Sequence, residues 1–342
     1  MAAHTAGSGT ARYAVERSRL GDQAIVVLRD RHDGRCVRIA LRGAALLGFE
    51  VPFAGGLHDV ADGYRDAVEV LKRPGSRFAI MAPFAGRIAD ALYTFDGATQ
   101  DLDPGVVGSD RASRHGFVRD VEFAVATLDA DDSAATVTLE TAAIRPRPGY
   151  PHAIDLSVQF SLDQHGLTLE ARMRNVGDRP APCFFGWHPY FRLPGGGPVN
   201  DWQMRIPAQS LIRTGTDLIP LAGASAYVSL DDAPALDFRQ CRRIGDSILD
   251  QGYSSLEADD DGRIRTHLRD ASGEFALAVW QERGVMHAFT ADTLTRDARH
   301  AMALEPMECM ADAFNRPECA AAIRLEPGAE RYFRCGVEVR CA

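Results

Sequence analysis

Between Ile154 and Leu162 the chain alternates without interruption: Ile154, Leu156, Val158, Phe160 and Leu162 are apolar, and Asp155, Ser157, Gln159 and Ser161 separate them. Successive side chains leave a β-strand on opposite faces, so this pattern predicts a strand with one buried face and one wet face. After Asp163-Gln164-His165-Gly166, where a glycine is free to take a positive φ, the alternation resumes as Leu167, Leu169, Ala171 and Met173. The two halves predict an antiparallel hairpin. A sheet with one apolar face has to cover that face, which points to stacked sheets.

Other short runs rich in β-branched residues and bounded by Gly, Asp or Pro read as further strands: Ile25-Val26-Val27-Leu28, Val37-Arg38-Ile39, Val137-Thr138-Leu139, Phe275 to Trp280, Ala288-Phe289-Thr290, and Val337 to Arg340. Helical spacing is rare. Val60, Tyr64, Val68 and Leu71 fall at i, i+4, i+8 and i+11 before Pro74-Gly75, the pattern of one short helix. Gly195-Gly196-Gly197-Pro198 reads as a turn. Met1 to Tyr13, rich in small residues, reads as a flexible N-terminal tail (1–13), and 14–342 as a single all-β domain of large antiparallel sandwich type.

Composition narrows the function. A net charge of -9 disfavours nucleic acid and anionic membrane surfaces as partners. No stretch approaches the roughly 18 apolar residues of a membrane helix, and no signal-peptide core precedes Asp22, so the cytoplasm is the expected location. Seven cysteines, without a Cys-x-x-Cys pair or zinc-type spacing, argue against a disulfide framework and a structural metal. The arginines are scattered and Lys72 is the single lysine, a usage that carries no functional signal by itself.

Chemistry is concentrated where titratable residues sit among rigid aromatic or proline neighbours. These segments are Pro83-Phe84-Ala85-Gly86-Arg87-Ile88, His115-Gly116-Phe117, Gly186-Trp187-His188-Pro189-Tyr190-Phe191 and Leu304-Glu305-Pro306-Met307. Pro189 biases His188 toward an extended backbone, and the surrounding aromatic residues limit solvent access. A histidine with an ordinary pKa of about 6.5 and a glutamate of about 4.3 form a workable acid and base near neutrality.

The ordered set of segments resembles the aldose 1-epimerase family, or galactose mutarotases, from about Ile25 to the C-terminus. Its components are Gly86-Arg87-Ile88, Tyr93-Thr94-Phe95-Asp96-Gly97, His115-Gly116-Phe117, His188-Pro189-Tyr190-Phe191-Arg192-Leu193, Leu249-Asp250-Gln251-Gly252-Tyr253, Leu304-Glu305-Pro306 and Ala311-Asp312-Ala313-Phe314-Asn315. The resemblance implies a galactose mutarotase-like β-supersandwich with a sugar cleft across one sheet. It implies His188 as general acid and Glu305 as general base, with Arg87, His115 and Asp250 binding a monosaccharide substrate. It implies no metal and no cofactor, and a monomer or homodimer. Many relatives carry Asn before the arginine matched by Arg87, where this chain has Gly86.

The implied reaction interconverts the α and β anomers of a free aldose by ring opening and closure, an isomerase activity of carbohydrate metabolism. Arg111, Arg114 and Arg119 near the cleft segments leave a hexose-phosphate 1-epimerase as an alternative, unless they are solvated surface arginines. A non-catalytic carbohydrate-binding protein is another alternative, though a pure binder has no need of both acid and base. A metal hydrolase built on His115, His188 and Glu305 lacks any short ligand pair to anchor it. Trp187 either stacks on a sugar or packs the sandwich interior.

Overall fold

A computed structural model of the chain describes residues 11–104 and 111–341. Three antiparallel sheets dominate. The first is a meander of Tyr13–Leu20, Gln23–Asp30, Cys36–Ala40, Leu46–Phe53 and Gly56–Asp59. The second, a long sheet, runs in space as Ala124–Ala130, Ala134–Ile144, Ile154–Asp163, Gly166–Asn175, Glu330–Cys341, Phe275–Gln281, Ile264–Arg269, Gln203–Arg205 and Arg242–Arg243. The third, the cleft sheet, runs as Tyr227–Ser229, Ala208–Ile212, Asp250–Leu256, Val285–Phe289, Met302–Met307, Gly186–His188 and Ala79–Met81, with Tyr190–Phe191 also paired to Met302–Met307.

The hairpin read from the alternation pairs Ile154 with Asn175 and Leu162 with Leu167. Its five apolar residues from Ile154 to Leu162 are buried, and the residues between them are partly or fully exposed. A one-residue slip would turn that whole row to solvent, so the register is fixed by hydrophobic burial. Contacts between sheets close the core: Phe53 of the meander meets Phe275 of the long sheet edge to face at 5.3 Å, and Phe185, one residue before the cleft-sheet strand, meets Phe333 at 5.9 Å. The other strands expected from the sequence are present, although Thr290 lies just beyond the strand Val285–Phe289.

Two expectations need correction. Tyr13 is not tail: it is 1% exposed and opens the strand Tyr13–Leu20, because its ring fills the space under the meander. The first ten residues of the expected tail lie outside the described residues. The helix is also shorter than the apolar spacing suggested. It covers Ala67–Lys72, capped by the Asp66 carboxylate accepting from the Glu69 amide, and it buries Val70 while leaving Val68 and Leu71 exposed. Val60 and Tyr64 are buried outside it. The backbone there is committed elsewhere, with the Val60 amide donating to Phe49 and Ala61 bridging to Phe191. Among the described residues, no helix is long and apolar enough to cross a membrane.

The hairpin supplies a test of the period-two reading. Phe160→Ala is expected to cost about 3–5 kcal/mol in denaturant unfolding, whereas Ser161→Ala one position along should stay within about 0.5 kcal/mol. Equal costs at the two positions would contradict the assigned faces.

Candidate active site

Met302–Met307 is buried along its whole length, yet it contains Glu305. An apolar central strand accepts a carboxylate only where a partner or a cleft receives it. On one side His287 is the direct cross-strand partner of Glu305. On the other side Gly186 pairs with Met307 and Tyr190 with Ala303, and midway between these two pairs stand His188 and Glu305. The register therefore places His188, Glu305 and His287 in a row across adjacent strands. Asp250 lies on the next strand, where Gly252 pairs with His287. Period-two alternation turns Tyr190, Phe289 and Met307 to the same side, and all of them line one cleft of about 340 Å³. That volume is in the range of small-molecule sites, about 300–1,000 Å³.

The His188 Nε2 is 3.3 Å from the Glu305 Oε1, and the two side chains are 8% and 5% exposed. Tyr190 stacks on the His188 ring at 5.0 Å and is itself anchored by its hydroxyl donating to the Gly75 carbonyl at 3.0 Å. His115 approaches the other side of His188 edge to face, 5.3 Å between centroids. These contacts fix the imidazole plane. Trp187, one residue earlier, points to the opposite side of the strand, where it is fully buried and meets Phe78 at 5.8 Å. It packs the interior and is not among the cleft-lining side chains.

Arg87 and His115 come from a separate small ladder. Arg114 pairs with Arg87, and the His115 amide donates to the Gly86 carbonyl at 2.9 Å. His115 and Gly116 both have positive φ, 59° and 66°. A Cβ on Gly116 would sit 2.0 Å from the Ala82 carbonyl oxygen, so only glycine allows the turn that aims His115 into the cleft. Asp312 ties this ladder to the strand end: its amide donates to the Arg87 carbonyl at 2.6 Å, and its carboxylate accepts from the Ala89 amide at 2.9 Å and from Asn315 at 2.7 Å. Gly86 has its own reason for lacking a side chain, since a Cβ there would lie 2.7 Å from the Ala311 Cβ.

The five residues expected from the sequence, Arg87, His115, His188, Asp250 and Glu305, all line the cleft. Asp250 is engaged there by His287, whose Nε2 lies 2.7 Å from the Asp250 Oδ1. His287 is the residue that sequence reasoning missed. Its signal was available but weak: a polar side chain at the centre of Val285-Met286-His287-Ala288-Phe289, between the buried Met286 and Ala288.

The charges in the cleft follow from burial and pairing. Burial disfavours the imidazolium of His188 and, with the nearby His287, pulls it down to about 3. Burial likewise disfavours the Glu305 carboxylate and pushes it up to about 8, against the opposing pull of His287. Burial thus favours the neutral form of each group, which places the pair's one proton on Glu305. That is the reverse of the resting state implied by free side-chain values. His287 behaves differently: burial alone would lower it, but the Asp250 hydrogen bond, the charge of Asp250 and, whenever Glu305 is ionised, that of Glu305 outweigh burial and raise it. Among the described residues, no set of three His, Cys, Asp or Glu side chains converges in a metal-holding arrangement.

Residues 25–338 match the family described as aldose 1-epimerase, and the chain belongs to that family. An aldose 1-epimerase of Escherichia coli K12 is 26% identical over 293 residues, which cover 76% of this chain and 77% of that protein. The Escherichia coli K12 protein named Uncharacterized protein YihR is 26% identical over 237 residues, covering 69% of this chain and 71% of its own. In architecture the chain is similar to a GalM/aldose epimerase homologue from C. elegans, with a TM-score of 0.80 at 17% identity over 94% of this chain and 99% of that one. It is also similar to a galactose 1-epimerase from Lactobacillus acidophilus NCFM, with a TM-score of 0.79 at 16% identity over 97% and 100%. The fold is the galactose mutarotase-like antiparallel β-supersandwich.

Two outcomes follow from this geometry. Gly116→Ala is expected to destabilise the protein by about 2 kcal/mol or more, since left-handed strain alone costs an L-residue about 1–2 kcal/mol and the backbone collision adds to it; thermal unfolding measures this. In NMR titration His287 should remain an imidazolium above the ordinary histidine midpoint, and Asp250→Asn should lower its midpoint. A His287 midpoint unmoved by that substitution would disprove the pairing.

Proposed function

We propose that the protein interconverts the α and β anomers of an aldose, with His188 and Glu305 as the proton-transfer pair. The observation that carries this reading is their 3.3 Å approach at the base of a monosaccharide-sized cleft. Opening a pyranose requires a proton on the ring oxygen while the anomeric hydroxyl loses one, so a donor and an acceptor must act at neighbouring oxygens. A pair that holds one proton meets this requirement.

In the opening step His188 gives a proton to the ring oxygen and Glu305 takes the one on the anomeric hydroxyl. The resting proton first crosses from Glu305 to His188. His287, which faces Glu305 across the ladder and whose proton affinity Asp250 raises, stabilises as an imidazolium the carboxylate that this leaves. After rotation about the C1–C2 bond, ring closure runs the transfers backwards and restores the pair. Two positioned proton transfers, each worth about 10²–10⁴ in rate, suffice for a reaction of this kind. Arg87 and His115 hold the sugar's remaining groups from the facing ladder.

Following the optical rotation of freshly dissolved α-glucose or α-galactose tests the activity. The protein should accelerate the change over buffer, and His188→Ala or Glu305→Gln should lower kcat by about 10²–10⁴. No acceleration with any common hexose or pentose would sink the proposal. The two proton affinities also set a pH profile. Once the spontaneous rate is subtracted, kcat should be steady through mildly acidic and neutral pH and fall above about 8, where Glu305 loses the shared proton. A rate still rising through pH 9 would contradict a one-proton pair.

A further inference from the structure

We infer that the cleft is built for an aldose bearing an anionic substituent, received by Arg87 and Arg114. This rests on the epimerase reading above and specifies its substrate class.

Arginine is abundant in this chain, and buried guanidinium groups are consistently paired. Arg77 lies 3.1 Å from Asp62, Arg265 2.9 Å from Glu338 and Arg316 2.7 Å from Glu318. Half-buried Arg119 and Arg205 donate instead to neutral oxygens, and Arg87 departs from both patterns. It is half-buried and lines the cleft, yet among the described residues its side chain has no hydrogen bond, ion pair or ring contact. Its direct cross-strand partner is Arg114, which lines the same cleft and is equally without a partner among the described residues. Like charges directly opposite each other on a ladder are destabilising. Burial, reinforced by the charge of Arg114, lowers the proton affinity of Arg87.

The nearest carboxylates, Asp250 and Asp217, offset part of the charge of Arg87 through space, but neither forms a hydrogen bond or ion pair with it. Asp250 is held by His287 at 2.7 Å, and the Asp217 carboxylate accepts from the Ile219 amide at 3.1 Å. The other two arginines near the cleft segments have structural tasks. Arg111 is drawn away to Asp101. Arg119 donates to the Ser76 hydroxyl at 2.8 Å and to the Arg114 carbonyl at 3.2 Å, which fixes the backbone that carries Arg114.

A neutral sugar hydroxyl offers a guanidinium an acceptor but no charge. A phosphate, sulfate or carboxylate offers both, in a geometry that matches the guanidinium fork. The location suits a substituent on the same ring as the reacting carbon: Arg114 immediately precedes His115, whose ring abuts that of His188. One monosaccharide can therefore place its anomeric carbon at His188 and Glu305 and an oxyanion at the two arginines.

Anomer exchange measured by NMR at equilibrium, on glucose, glucose 6-phosphate, glucose 6-sulfate and glucuronate, tests this without requiring pure anomers. At least one anionic sugar should show a kcat/KM tenfold or more above glucose. Arg114→Gln, at an exposed position that does not endanger folding, should shrink that ratio at least fivefold through KM rather than kcat. The three anionic arms identify which oxyanion is read. Exchange on glucose with no anionic preference, or a preference that survives Arg114→Gln, overturns this inference and leaves the epimerase reading standing. Absence of exchange with all four sugars overturns both.

Discussion

The site depends on a carboxylate buried in the middle of an apolar strand. Glu305 is 4% exposed, and its neighbours along Met302–Met307 belong to the hydrophobic interior. A charge there is costly, so the surrounding structure has to share it, neutralise it or give it a substrate. The register on both sides supplies histidines, His188 at 3.3 Å and His287 directly across the ladder. In the reaction proposed above, the shared proton moves between side chains that neighbouring strands hold in register.

The two histidines are kept distinct by their second contacts. His188 is enclosed by Tyr190 and His115, neither of which offers a negative charge, and burial leaves it neutral. His287 has Asp250 at 2.7 Å, so the same burial is overcome and its proton affinity is raised. Identical side chains on adjacent sides of one glutamate thus acquire proton affinities shifted in opposite directions. Pairing with Asp250 has a further consequence. A residue expected to bind sugar also sets the charge of His287, and through it the ease with which Glu305 ionises.

The opposite wall of the cleft is held by backbone. Asp312 fastens the Arg87 carbonyl and the Ala89 amide, while Gly116 turns the chain where any side chain would strike Ala82. The close approach of Gly86 to Ala311 leaves no room for a side chain at that position. Arg87 is consequently positioned without a neighbouring amide, and the side chain paired with it across the ladder is a second arginine.

The sequence alone determined the strands whose burial is one-sided, because period-two alternation is a local record of a face: the hairpin from Ile154 to Asn175 was legible residue by residue. The order of motifs likewise singled out His188, Glu305, Arg87, His115 and Asp250, which line one cleft. Local pattern failed where distant backbone intervened. Val60 and Tyr64 follow a helical spacing, yet the Val60 amide was already committed to Phe49. Nor could it reveal His287, whose importance comes from facing Glu305 on a neighbouring strand, or the site of the resting proton, which depends on how deeply each group is buried. Only tertiary structure decided these, since strand register and desolvation are properties of neighbours brought together by folding and are not written in any one segment.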